Sequence, residues 1–125
     1  HLGNRWHSVN PLALARNIRV FTTNVREVTI LDLDAIGHAA FIEVGAFGVA
    51  AITQTHTSST FRKGDEKGFF SFGGSTIIML FQPDCIQFDQ DLIDNSGNGV
   101  ETLVQTGQQI AVRKTPAPAN AGTAP

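Results

Sequence analysis

The sequence predicts a mainly β domain, a compact barrel or barrel-sandwich with short helical turns. About seven or eight short apolar runs are separated by glycine-bearing turns, and no stretch of ~10 or more residues carries a helical period. Hydrophobic residues make up 42% of the chain. A sheet this rich in apolar side chains has to fold over itself to bury them, which favours a closed or doubled sheet over a flat one.

Residues 1 to 16 are polar and irregular. Asn10-Pro11 marks a turn, and Leu12-Ala13-Leu14-Ala15 is too short to predict a helix, so the segment reads as a loop with one turn. Trp6 is expected to pack against the sheet, with His7 at the surface. From Val25 to Leu33 β-branched and aliphatic residues alternate imperfectly, Asp34-Ala35-Ile36-Gly37 closes the run, and His38 to Val44 resumes it: a hairpin. Phe47 to Gln54 is a third strand, with Gly45 and Gly48 at its start suggesting a bulge or a close backbone approach. The polar run Thr55 to Thr60 predicts an exposed loop carrying His56, and Arg62 to Gly68 a charged, solvated turn.

Strands are expected on either side of residues 73 to 76, the second being Ile77 to Phe81. Pro83-Asp84 then predicts a turn and Cys85 to Phe88 a short strand, with Cys85 in the core. Asp89 to Gly97 predicts about one helical turn ended by glycine. Its three aspartates do not fit the calcium-loop template, and no metal site is expected there. Gln105 to Ile110 repeats the pattern of a polar pair, a glycine and a return to apolar residues, as in the tight turns of lipoyl-type folds. Residues 115 to 125, with three prolines among alanines, cannot bury a face and predict a disordered tail, which bounds the domain at 1 to 114.

At 125 residues there is chain for one core. A net charge of −2 gives no reason to expect nucleic acid as a partner. The single cysteine excludes an internal disulfide and a cysteine-based metal cluster. No apolar run approaches the ~18 residues that cross a bilayer, so the chain is expected to be soluble as it stands.

The stretch that carries chemistry is Phe70 to Phe81. An apolar run broken once by Gly73-Gly74-Ser75-Thr76 reads as two buried strand segments with a permissive, nucleophile-bearing joint. Gly-Gly-Ser is also common in plain loops, and a glycine kink between two strands accounts for it equally. Under the chemical reading, the Ser75 hydroxyl attacks the Gly74 carbonyl and the peptide becomes an ester. β-Elimination and hydrolysis then release ammonia and leave Ser75 as an N-terminal pyruvoyl group, a ketone able to receive an amine and accept electrons from its Cα.

Phe72-Gly73-Gly74-Ser75-Thr76 with its following aliphatic strand, preceded by Arg62 to Phe70, resembles the C-terminal region of phosphatidylserine decarboxylases. Ser8-Val9-Asn10-Pro11-Leu12-Ala13-Leu14, Val44-Gly45-Ala46, and Ile93-Asp94-Asn95-Ser96 running on to Val100–Gly107 resemble it too, so the likeness covers roughly residues 7 to 112. The resemblance implies self-cleavage between Gly74 and Ser75, with Gly73 and Thr76 flanking the bond, and a covalent pyruvoyl cofactor made from Ser75. It implies decarboxylation of phosphatidylserine to phosphatidylethanolamine. The expected partners are an aminophospholipid or amino-acid substrate, a membrane surface, a second copy of the chain, and an N-terminal part of the same proenzyme that precedes these residues. The family's Asp-His pair belongs to that part and has no counterpart here. His7 and His56 are the histidines left as candidate proton donors, and His56 would have to fold over Ser75 to act. Localisation is not legible.

Two rival readings stand beside this one. A soluble relative would act on a free aromatic amino acid such as tryptophan. A lipoyl-like β module would have no catalysis, but it needs an exposed lysine between apolar residues at a hairpin tip, and Lys63 and Lys67 both flank glycine in a charged turn. Phe47, Phe61, Phe69 and Phe70 surround the joint; each taken singly is expected in the core, and together they would form a surface able to meet a bilayer.

Overall fold

Asn10 and Pro11 begin a helix rather than a loop. In the computed structural model, which describes residues 1–47, 52–71 and 75–114, Asn10 is the N-cap of α1 (Pro11–Arg16), its Oδ1 accepting from the Leu12 and Ala13 amides at 2.9 and 3.2 Å. Proline sits at the first turn, where its missing N–H has no partner to lose. A four-residue helix, α2 (Val20–Thr23), follows. The chain divides into two units. The first takes His1–Leu31 and Ala39–Leu80, the second Asp32–His38 and the chain from Phe81 onward.

The first unit is built on a three-stranded sheet of β1 (Arg26–Asp32), β2 (His38–Val44) and β5 (Thr76–Phe81), in the order β1-β2-β5. The hairpin expected from the turn chemistry is present. A 3-10 turn at Asp34–Ile36 joins β1 to β2, the Leu33 amide donates to the Gly37 carbonyl at 3.0 Å, and Gly37 takes a positive φ of 88° that a side chain would resist. Residues 2 to 5 run alongside the start of β1, with Leu2 and Arg26 exchanging two backbone hydrogen bonds of 2.8 Å. The described core is small and gathers around the central strand: Val20, Val25, Ala39, Val44 and Ala46, with Asn24 and Glu43 buried among them. Trp6 is half exposed rather than packed down on the sheet.

The expected third strand is described only over β3 (Ile52–Gln54); its part at 48 to 51 lies outside the described residues. It pairs antiparallel with β4 (Gly68–Phe70), Ile52 opposite Phe70 and Gln54 opposite Gly68. A Cβ on Gly68 would run into the Thr53 carbonyl. Gly68→Ala is therefore expected to destabilise the fold by about 1–3 kcal/mol, the usual range for overpacking, and a denaturant midpoint equal to that of the unsubstituted chain would refute the close approach. The segments flanking the joint are less buried than expected, because β5 is an edge strand and β4 belongs to a two-stranded ribbon: Phe69, Ile77 and Leu80 are exposed.

In the second unit β6 (Ile86–Phe88) pairs antiparallel with β7 (Ala111–Arg113). Helix α3 (Gln90–Gly97) makes two turns where about one was expected, and ends near Gly99, which has a φ of 70°. Phe81 meets Phe88 edge to face, with ring centroids 6.5 Å apart. The predicted turns at Pro83-Asp84 and Thr106-Gly107 are present. Cys85 is only half buried, its thiol directed at the Gln82 carbonyl, so it is not a core residue.

Lys114 Nζ donates to Asp84 Oδ1 at 2.8 Å, and that bond, with the charge behind it, holds the Asp84 carboxyl below its ordinary value of 3.8. Because the folded-state value is the lower one, the pair's stabilisation is present above the ordinary value and disappears as pH falls through the lowered one. Lys114→Gln should return the Asp84 carboxyl to ordinary titration in a carbon-13 NMR experiment. An unchanged curve would mean that the pair does not form in solution.

The chain is mainly β, as predicted. The barrel or barrel-sandwich is not seen among the described residues, where the strands group into sheets of three, two and two. Among the described residues no helix is long and apolar enough to cross a membrane. The tail expected at 115 to 125 lies outside the described residues.

Candidate active site

Ser75 stands immediately before β5, so the strand's pairing in the sheet fixes where its side chain emerges. Its Oγ is buried and has no hydrogen-bond partner among the described residues. A buried hydroxyl without a partner forfeits the hydrogen bonds that water gave it, a penalty of about 1–3 kcal/mol that folds tolerate chiefly where the group has other work. Gly73 and Gly74 lie outside the described residues.

Ser75 and Thr76 form one wall of a cavity of about 350 Å³. Ala46 and Phe47, just past the end of β2, form a second, and Ser8, Val9 and Asn10, leading into α1, form a third. Two of these walls meet at Asn24, the C-cap of α2, which is fully buried. Its Oδ1 accepts from the His7 amide at 2.9 Å, and its Nδ2 donates to the His7 and Gly45 carbonyls, both at 2.8 Å. Both Nδ2 hydrogens and one Oδ1 lone pair of that amide are directed at backbone adjoining one wall or the other. A second depression, of about 470 Å³, shares Ser8 and Asn10 with the first and adds Leu12, Ala13 and Arg16.

Of the residues singled out from sequence, Ser75 and Thr76 line the cavity and the two histidines do not. His56 turns its Nε2 to the Thr60 carbonyl, 2.9 Å away within its own loop. His7 is exposed and contributes backbone, not imidazole, to the contacts around Asn24. Phe47 is 80% exposed, and Phe61 and Phe69 are exposed as well, so three of the four phenylalanines expected singly in the core face outward; Phe70 is half buried. Among the described residues no group of three or more histidine, cysteine, aspartate or glutamate side chains is placed to hold a metal ion.

Sequence reasoning missed two buried polar groups. Asn24 gave no signal beyond its place between an apolar run and a strand. Glu43 did: a carboxylate two and four residues from Phe41 and Ala39 in a strand shares their face, and a charge there needs a partner. That partner is Lys67, expected to be solvated, which instead forms an ion pair with the Glu43 carboxylate.

A serine at the head of an edge strand, behind a Gly-Gly pair and lining a cavity, with a buried hydroxyl that has no partner among the described residues, defines a chain with a candidate serine nucleophile. Residues 1–112 match the model of the phosphatidylserine decarboxylase family, and the chain belongs to that family. It is 49% identical over 107 residues to the phosphatidylserine decarboxylase proenzyme of Chlamydia trachomatis serovar L2, a match covering 85% of this chain and 36% of that protein. Against the proenzymes of Chlamydia pneumoniae and Chlamydia felis the identities are 49% and 48% over 104 residues, covering 82% of this chain and 35% of each relative. The chain thus spans little more than a third of the length of these curated relatives. No solved structure matches it.

Proposed function

We propose that this chain is the C-terminal catalytic region of a pyruvoyl-dependent phosphatidylserine decarboxylase, matured by self-cleavage between Gly74 and Ser75. The observation that carries the reading is the buried Ser75 Oγ, without a partner among the described residues, in the motif that the resemblance singles out. An orphaned hydroxyl fits a group that is consumed in making the cofactor. When formed, the pyruvoyl ketone supplies an electrophile for the substrate's amine and a sink for the electrons released as carbon dioxide leaves. The chain's own contributions are steric and polar. Ser8, Asn10 and Thr76 offer polar atoms around the cavity, while Ala46 and Phe47 contribute apolar wall.

Two features favour a lipid over a free amino acid. Phe47 reaches from the cavity wall into solvent, and Leu12, 78% exposed, lies in the adjoining depression beside Arg16. An apolar rim with one cation suits a glycerophospholipid whose headgroup enters the cavity. The membrane surface and the remainder of the proenzyme are the partners this reading proposes.

Mass spectrometry of the full-length, freshly purified proenzyme provides the test. Two chains meeting at Gly74 and residue 75, the second blocked at its N-terminus and lighter by the lost amine, are expected, together with carbon dioxide release from phosphatidylserine vesicles. An intact 74–75 peptide in fully active enzyme would refute the cofactor. Release from tryptophan and none from vesicles would refute the lipid substrate.

A further inference from the structure

We infer that Asn24 is a positioning residue of the active site, a buried amide that holds two of the three cavity walls in register with Ser75. The His7 amide and carbonyl lie just before Ser8, Val9 and Asn10, and the Gly45 carbonyl just before Ala46 and Phe47. The wall segments themselves are short loops; Asn10 ties one of them to α1, its Oδ1 accepting from the Leu12 and Ala13 amides, and few other bonds among the described residues hold them. Ser8 contributes one hydroxyl bond, accepting from the Asn10 amide at 3.3 Å, and the Gly45 amide donates to the Val25 carbonyl at 2.9 Å. Asn24 itself is anchored from both sides, its amide donating to the Val20 carbonyl and its successor Val25 donating to the Arg5 carbonyl.

The geometry explains why an asparagine serves here and an aspartate would not. Two carbonyl oxygens face Nδ2, so a carboxylate of the same shape would turn an oxygen toward both and repel them, while keeping the bond from the His7 amide. Asn24→Asp therefore releases the walls selectively. A wall shifted by about 1 Å misplaces whatever enters the cavity relative to residue 75, and such a shift lowers rates by roughly 10- to 100-fold.

The kinetic part of this inference rests on the decarboxylase reading, whereas the structural part does not, and the experiment separates them. In the full-length protein, Asn24→Asp is compared with Lys67→Met, which breaks the buried Glu43 ion pair without touching a wall or Asn24. Amide hydrogen exchange should rise at residues 7–10 and 45–47 in Asn24→Asp and stay unchanged in α3 and β6–β7. Per mole of split chain, kcat on phosphatidylserine vesicles should fall roughly 10- to 100-fold with KM little changed. Lys67→Met should lower the melting temperature and leave kcat alone. Unchanged exchange at the two walls, or a rise spread evenly over the unit, would overturn the clamp. An Asn24→Asp enzyme with wild-type kcat would overturn its role in positioning. If wild-type protein released no carbon dioxide from vesicles, the decarboxylase reading would fail and the exchange pattern would still decide whether Asn24 clamps the walls. Should Asn24→Asp not fold, Asn24→Ser, which keeps one donor, is expected to fold with the same local exchange pattern, and its absence would equally refute the clamp.

Discussion

Ser75→Ala is expected to yield a folded, unsplit proenzyme with no decarboxylase activity and with stability equal to or slightly above that of the wild type. The activity loss follows from the proposed chemistry, because the hydroxyl is the only source of the ketone and alanine has no atom to attack the preceding carbonyl. The stability expectation follows from geometry. Removing a hydroxyl that makes hydrogen bonds would lose about 1 kcal/mol, but the Ser75 Oγ is buried with no partner among the described residues, so its removal relieves a desolvation penalty instead. Activity and stability should therefore move independently. A single unsplit mass, a background rate of carbon dioxide release and an unchanged melting temperature would together support the role. Turnover by the alanine variant would eliminate the pyruvoyl mechanism. A melting temperature lowered by several degrees would mean that the hydroxyl has a structural partner.

What could be read from the sequence divides along the distance over which residues act. The β1–β2 hairpin was legible because Asp34 to Gly37 encode its turn locally, and the positive φ of Gly37 is a local requirement. Helix α1 was not, although the residues that build it were noticed: Asn-Pro starts a turn and caps a helix with the same chemistry, and only the Leu12 and Ala13 amides at Asn10 Oδ1 decide between them. The barrel was an inference from apolar content to strand pairing, and pairing between distant strands is set by packing that composition does not encode. At the candidate site, Gly73-Gly74-Ser75 marks the proposed nucleophile in the sequence itself, whereas its surroundings come from three segments far apart in the chain. Two of them, Ser8-Val9-Asn10 and Val44-Gly45-Ala46, had been picked out by family resemblance, and both contribute residues to walls of the Ser75 cavity. The clamp that joins those walls escaped, because an asparagine between a short helix and a strand is unremarkable until its three bonds are seen.

Lys67→Met, just before β4, should lower stability by about 3 kcal/mol. The Glu43 side chain is 7% exposed and lies on the inward parity of β2. Lys67 Nζ and Gln54 Nε2 both donate to its Oε2, at 2.5 and 2.8 Å, and Lys67 also donates to Gln54 Oε1 at 2.8 Å. The ammonium further sits 5.2 Å from the centre of the Phe41 ring. Methionine keeps the aliphatic stem and removes the charge, which leaves the Glu43 carboxylate in a dry site with one amide donor. Surface pairs contribute at most about 1 kcal/mol, and this pair belongs to the other class because the carboxylate, not the ammonium, is the buried member. Lys67 keeps 26% of its side chain in water, which places the expected loss at the lower end of the range for breaking a buried pair. Adding Glu43→Leu to Lys67→Met removes the stranded charge and should restore most of the stability, since an apolar pair of similar volume is tolerated where an unpaired ion is not. Denaturant unfolding of wild type, Lys67→Met and the double variant measures both steps. A loss below about 1 kcal/mol in the single variant would mean that the pair behaves as an exposed one, and a double variant no more stable than the single would mean that Lys67 acts through packing on Phe41 rather than through the Glu43 charge.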